Sequence, residues 1–230
     1  MKVDDAVETI TKFFNDLIGA WVPGLVLATG LVIMHLGPEH IKSLVKFSEG
    51  AGAALTMAGV LFALGHLLLA VNEIAVKPLL GFFRLIGAFD EAKARGRQSY
   101  KLFSELVSSR QGGDQSAWQF HDLRSVALSV SDDAALLGRR FMFISLLCSG
   151  VGTALLLIGI DYLVCLFALP ELLYDYDRAA PWWVQAILLF GATAFLFKQA
   201  DAFYSRAMNT PFSVAVAELK FKRDSNVGNP

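Results

Sequence analysis

Four stretches of this chain, Leu17 to Leu36, Gly52 to Val71, Phe141 to Ile160 and Trp182 to Phe197, contain no Lys, Arg, Asp or Glu. A helix rising ~1.5 Å per residue needs about 20 apolar residues to cross ~30 Å of hydrocarbon, so each stretch predicts a membrane-spanning helix. Composition agrees: 55% of the 230 residues are hydrophobic and only 18% are charged, too few charges for an ordinary soluble surface. An acidic stretch precedes the first run, with no basic leader and small-residue cleavage site, which predicts a retained anchor rather than a secretory signal.

Charge placement predicts the orientation. Ten basic residues lie between Asn72 and Arg140, two precede Leu17 and five follow from Lys198, whereas the two remaining linkers carry only Lys42, Lys46 and Arg178. Lys and Arg near spans are retained on the cytoplasmic side, so both termini and the long middle segment are expected there, with a prokaryotic inner membrane as the expected location. Trp182 and Trp183, preceded by Tyr174 and Tyr176, mark the opposite interface.

The expected fold is therefore all-α, with transmembrane helices at 17–36, 52–71, 141–165 and 182–200. Residues 1–16 read as an interfacial amphipathic helix, since Val3, Ala6, Val7, Ile10, Phe13 and Phe14 recur at helical spacing. Segments 17–71 and 141–200 form the two transmembrane pairs, 72–140 a cytoplasmic helical arm, and 201–230 a cytoplasmic tail with a disordered end. Within the arm, a basic helix follows Pro78 and breaks at Gln111, Gly112 and Gly113. A second helix capped by Asp114 runs through Leu137, with Leu123, Val126, Val130, Ala134 and Leu137 as its apolar seam, making a hairpin.

Catalytic signatures are missing: the sequence has no P-loop glycine spacing, HExxH, CxxC or GxSxG. No enzyme activity and no cofactor is expected. Nor is a metal site, because His35, His40, His66 and His121 lack ligand spacing, and His35 is placed too near water to demand a partner. Cys148 and Cys165, 17 residues apart on one helix, would be separated by roughly 25 Å, beyond disulfide reach. With a net charge of −1 there is no field for nucleic acid.

Polar residues near the spans are the candidates for a pore or an intramembrane contact. These are His66 inside the second run, Glu73 at its inner end beside Lys77, and Asp161, which enters the third span if that helix continues to Leu169. Small residues at four-residue spacing mark helix-packing stripes: Ala20, Gly24 and Ala28; Ala54, Ala58, Gly59 and Ala63; Ser145, Ser149 and Thr153. His121, Asp122 and Arg124 form a polar cluster on the arm, a candidate partner contact. Packing of this kind predicts a homo-oligomer in the bilayer and leaves room for a cytoplasmic protein partner.

The order of two spans, cytoplasmic helices, two spans and a tail is similar in outline to MotA-type stator subunits. It also resembles the membrane subunits of bacterial defence systems. Both are likenesses of architecture, carried by no motif. The expected function is an oligomeric, pore-like or membrane-perturbing effector regulated through its arm, as the second of these likenesses implies. The alternatives are an anchor or scaffold for a separately encoded cytoplasmic partner, and a stator-like or transporter subunit.

Overall fold

The computed structural model describes the backbone except at residues 1–2, 48–49, 84–85, 88, 112–117, 175–179 and 228–230, and the side chains except at these and at 3–17, 44, 45, 47, 110, 111 and 221–227. Among the described residues the chain is all-helical, without a strand. Four helical stretches, Ile18–Leu36, Ala51–Phe82, Asp132–Ala168 and Trp182–Lys220, are long and apolar enough to cross a membrane. Their uncovered surface is greasy: Leu55 is 77% exposed, Ile74 80% and Phe82 81%, the finish expected of helices solvated by lipid rather than water.

Helix α1 (Val3–Leu36) runs without a break through Pro23 and ends at Gly37, whose φ of 95° suits a residue without a Cβ. The amphipathic pattern expected for 1–16 is therefore on the same continuous helix as the first span, and its side chains lie outside the described residues. A short helix α2 (His40–Phe47) leads to α3 (Ala51–Val71), a π-helical turn (Asn72–Val76) and α4 (Lys77–Phe82). There follow α5 (Glu91–Arg95), α6 (Gln98–Gln111), α7 (Phe120–Val130), α8 (Asp132–Ala168), a 3-10 turn (Pro170–Leu172) and α9 (Trp182–Val227).

Two compact units result, one of residues 1–86 and 146–200, the other of 87–145 and 201–230. In the first, Leu27, Met34, Leu68, Ala154, Ile158 and Tyr162 form the buried centre. Helices α1 and α3 meet at glycines: a Cβ on Gly24 would fall 2.0 Å from the Leu61 carbonyl oxygen, and one on Gly65 would fall 1.6 Å from that of Ala20. Only a residue without a side chain lets backbones approach this closely.

The second unit has an aromatic core. Phe103, Phe120 and Phe212 are essentially inaccessible, with Phe120 stacked on Tyr100 at 5.6 Å and packed edge-on to Phe212 at 5.3 Å. Burial pushes the Tyr100 phenol above its ordinary range. Residues 201–227, expected as a tail, instead continue α9 through Pro211 and supply Met208, Phe212, Ala215 and Val216 to this core. The tip of the chain at 228–230 lies outside the described residues.

The expected arm helices are also corrected. The run after Pro78 ends at Phe82 and resumes at Glu91, where Asp90 caps α5 by accepting from the Lys93 amide at 2.8 Å. Asp114 and the glycines before it lie outside the described residues. The helix expected through Leu137 is interrupted at Ser131, whose hydroxyl accepts from the Ala134 amide and starts α8. That break resets the helical phase, so the buried positions are Leu123, Ala127 and Ala134, while Val130 is exposed.

Candidate functional site

Helix α3 has two faces with different duties. Leu61, Gly65 and Leu68 are buried, and Asn72 and Val76 continue the packed side into the π turn. Away from it, Gly52, Thr56, Gly59, Ala63, His66 and Ala70 follow one another at steps of four, three, four, three and four residues, and all six are exposed. A 4-3 alternation keeps residues on one stripe of a helix. Nothing lies within 4 Å of where a Cβ on Gly52 or Gly59 would sit.

This stripe is small and polar. The Thr56 hydroxyl donates to its own helix at the Gly52 carbonyl, 3.0 Å away. His66 rests its ring on Phe62, centroids 4.3 Å apart, and so stands about 22 Å along a 21-residue helix with its imidazole uncovered. A histidine at that depth normally faces a partner helix or a wet cavity, because lipid offers its ring nitrogens no hydrogen bond. Glu73 is exposed one turn beyond Ala70 and pairs with Lys77 at i,i+4.

The small-residue stripes divide unevenly. Ala20 and Gly24 are buried against α3, with Ala28 half-buried; Ser145, Ser149 and Thr153 are buried. Ala54, Gly59 and Ala63 are exposed and Ala58 is half-buried, so in α3 the glycine that packs against α1 is Gly65. Spacing alone does not distinguish the two glycines.

Asn72 is completely buried, and its Oδ1 accepts from the Thr153 hydroxyl at 3.2 Å; that hydroxyl also lies 2.9 Å from the Ser149 carbonyl. The π turn that begins at Asn72 carries one residue more per turn than an α-helix, a feature frequent where function or packing re-aims a side chain.

His35 does have partners. Its Nδ1 lies 2.9 Å from the Leu172 carbonyl oxygen and its Nε2 2.8 Å from Asp161 Oδ2. Helix α8 continues past Asp161 to Ala168, which places Cys165 one turn on, its Sγ donating to Asp161 Oδ1 at 3.8 Å. The ligand atoms of His35, Asp161 and Cys165 all lie within 4.8 Å of one another. The missed signal was a pairing between α1 and α8, 126 residues apart in sequence, which no local spacing encodes.

On the arm, His121 and Asp122 are exposed. Arg124 is turned inward, donating from Nε and Nη2 to the Ala207 carbonyl at 3.3 and 3.2 Å, and burial lowers its pKa from the ordinary arginine value. The same unit holds a cavity of about 360 Å³ lined in part by Phe89, Lys93, Arg97, Tyr204 and Asn209.

Compared with known protein families, curated proteins and solved structures, the chain matches none.

Proposed function

We propose that this membrane protein is a non-enzymatic, oligomeric, channel-like or membrane-perturbing effector, regulated through its arm. Copies meet along the face of α3 that carries Gly52, Thr56, Gly59, Ala63, His66 and Ala70. The observation that supports this reading is the exposure of that whole face within one chain. Small residues allow another backbone close, and Thr56 and His66 supply the polar groups that a wet path or a helix contact uses.

The bias of basic residues supports an orientation with both termini and the arm on the cytoplasmic side, and the location we propose is a prokaryotic inner membrane. The arm is suited to receive a signal or a protein, having its own aromatic core and the cavity beside Lys93 and Arg97. The same features support an alternative, in which the chain anchors a separate cytoplasmic partner and conducts nothing.

Cross-linking and flux separate the two. In a Cys148→Ser, Cys165→Ser background, Gly59→Cys and His66→Cys are expected to form disulfides between copies in membranes, whereas Leu68→Cys, on the buried face, is not. Liposomes carrying the protein are expected to leak ions at a rate that His66→Leu changes. The absence of both cross-links and leakage in correctly inserted protein would sink the pore reading in favour of the anchor.

A further inference from the structure

We propose that His35, Asp161 and Cys165 bind a borderline-soft divalent transition-metal ion, zinc foremost, through imidazole Nε2, one carboxylate oxygen and the thiolate.

The hydrogen bonds of the imidazole carry the argument. Leu172 presents a carbonyl, which only accepts, so the nitrogen facing it at 2.9 Å, Nδ1, holds a proton. In the neutral ring Nε2 then has a lone pair, and it points at a carboxylate oxygen 2.8 Å away. Two acceptors do not sit at that distance without a cation between them. A proton fills that role when the pair is imidazolium and carboxylate; a metal ion fills it once the two atoms part by about 0.5 Å, and the thiol beside them adds the third donor.

The surroundings are those of a metal ligand. A metal-bound histidine characteristically donates its other N–H to a carbonyl or carboxylate that fixes its tautomer and orientation, as the Leu172 carbonyl does here. That carbonyl is itself held in place. The 3-10 turn Pro170–Leu172 precedes Tyr174, whose amide donates to the Met34 carbonyl at 2.9 Å, and Gly37 closes α1 two residues after His35. Asp161 and Cys165, at i and i+4, share a face of α8.

Zinc bonds of about 2.0–2.3 Å in tetrahedral geometry put ligand atoms ~3.3–3.7 Å apart, within a side-chain adjustment of the separations observed. One nitrogen, one sulfur and one oxygen select zinc, cobalt or a similar ion over calcium or magnesium, which take oxygen ligands in larger number. Cys165 is buried, while the His35 and Asp161 side chains remain 29% and 38% exposed, leaving an approach and a fourth position for water or another donor. The step balances in charge. The divalent ion enters as two protons leave, one from between His35 and Asp161 and one from the Cys165 thiol. The site is neutral before and after, as suits a position at the end of a membrane-spanning helix.

The test uses full-length protein in detergent, stripped with chelator and titrated with Co²⁺. The expected result is one ion per chain, intense visible bands of a four-coordinate site and a near-ultraviolet thiolate-to-cobalt band, all displaced by Zn²⁺. Cys165→Ser is expected to abolish the thiolate band, Cys148→Ser to leave it intact, and His35→Gln or Asp161→Asn to weaken binding at least tenfold. The absence of saturable binding to the unsubstituted protein overturns the proposal, without reliance on any variant folding. So does a thiolate band that survives Cys165→Ser or disappears in Cys148→Ser.

Discussion

The guanidinium of Arg124 caps the carbonyl of Ala207, the residue four before Pro211. Proline has no N–H, so inside α9 it leaves that carbonyl without its helical donor. Arg124, reaching across from α7, supplies the missing hydrogen bonds and thereby lets a proline sit in the middle of a helix that the arm core requires.

Removing the cap should therefore cost the arm about 1.5–3 kcal/mol, the range for hydrogen bonds to a charged group. Arg124→Met keeps much of the volume and loses the donors. Pro211→Ala restores an amide for Ala207, so Arg124→Met should be markedly less damaging in that background. A thermodynamic cycle on purified protein whose other three tryptophans are replaced by Phe, followed by fluorescence of Trp118, measures the difference; equal losses in both backgrounds would disprove the capping role.

Phe120 touches Tyr100, Phe212 and Phe89, with ring centroids 5.6, 5.3 and 5.4 Å away. Phe120→Ala should destabilise the second unit by about 3–5 kcal/mol. Limited proteolysis should then cut between residues 87 and 145 while membrane insertion persists. Unchanged protection of that segment would count against the packing described.

The glycines of α3 should behave oppositely on substitution. Gly65→Ala drives a methyl into the Ala20 carbonyl and should abolish well-folded protein in detergent, as judged by size-exclusion chromatography. Gly59→Ala meets nothing within 4 Å in the chain and should leave the fold intact. If copies meet along that face, the bulkier Gly59→Leu should shift the assembly towards monomer.

The hydrogen bond between Asn72 and Thr153 predicts a coupling of about 0.6 kcal/mol, the average for such contacts between membrane helices, and no more than ~1.7 kcal/mol. Thr153→Val, Asn72→Leu and the double variant, unfolded from mixed micelles, supply the cycle. A coupling indistinguishable from zero would remove this pair as a determinant of the packing.

Much of the membrane class was legible in the absence of charge across 17–36, 52–71, 141–160 and 182–197, because hydrocarbon tolerates little else. Helix ends were read less well. Hydropathy marks where a chain leaves lipid, whereas the backbone helix of α8 stops only at Ala168, and that of α9 continues well beyond Lys198. Pro211 lies inside α9, where a distant arginine satisfies what proline disrupts. The seam through Val130 failed for a local reason, the Ser131 cap, whose effect on helical phase cannot be extrapolated from the periodicity preceding it.

The sites divide in the same way. Ala20 and Gly24 could be read as packing residues from their spacing, but their counterpart Gly65 could not be separated from Gly59 until the two helices were brought together. His66 was conspicuous as a polar residue in an apolar run; that it stands on an uncovered face is a property of the packed unit.

By itself the sequence determined that four stretches must be helices suited to a membrane, because apolar runs of that length have no cheaper way to satisfy their backbone. Tertiary structure decided which polar groups meet. His35 with Asp161, Asn72 with Thr153, and Arg124 with the Ala207 carbonyl are each joined across more than 80 residues of chain. Such pairings depend on how helices are rotated and stacked, which is set by close fit over many side chains at once.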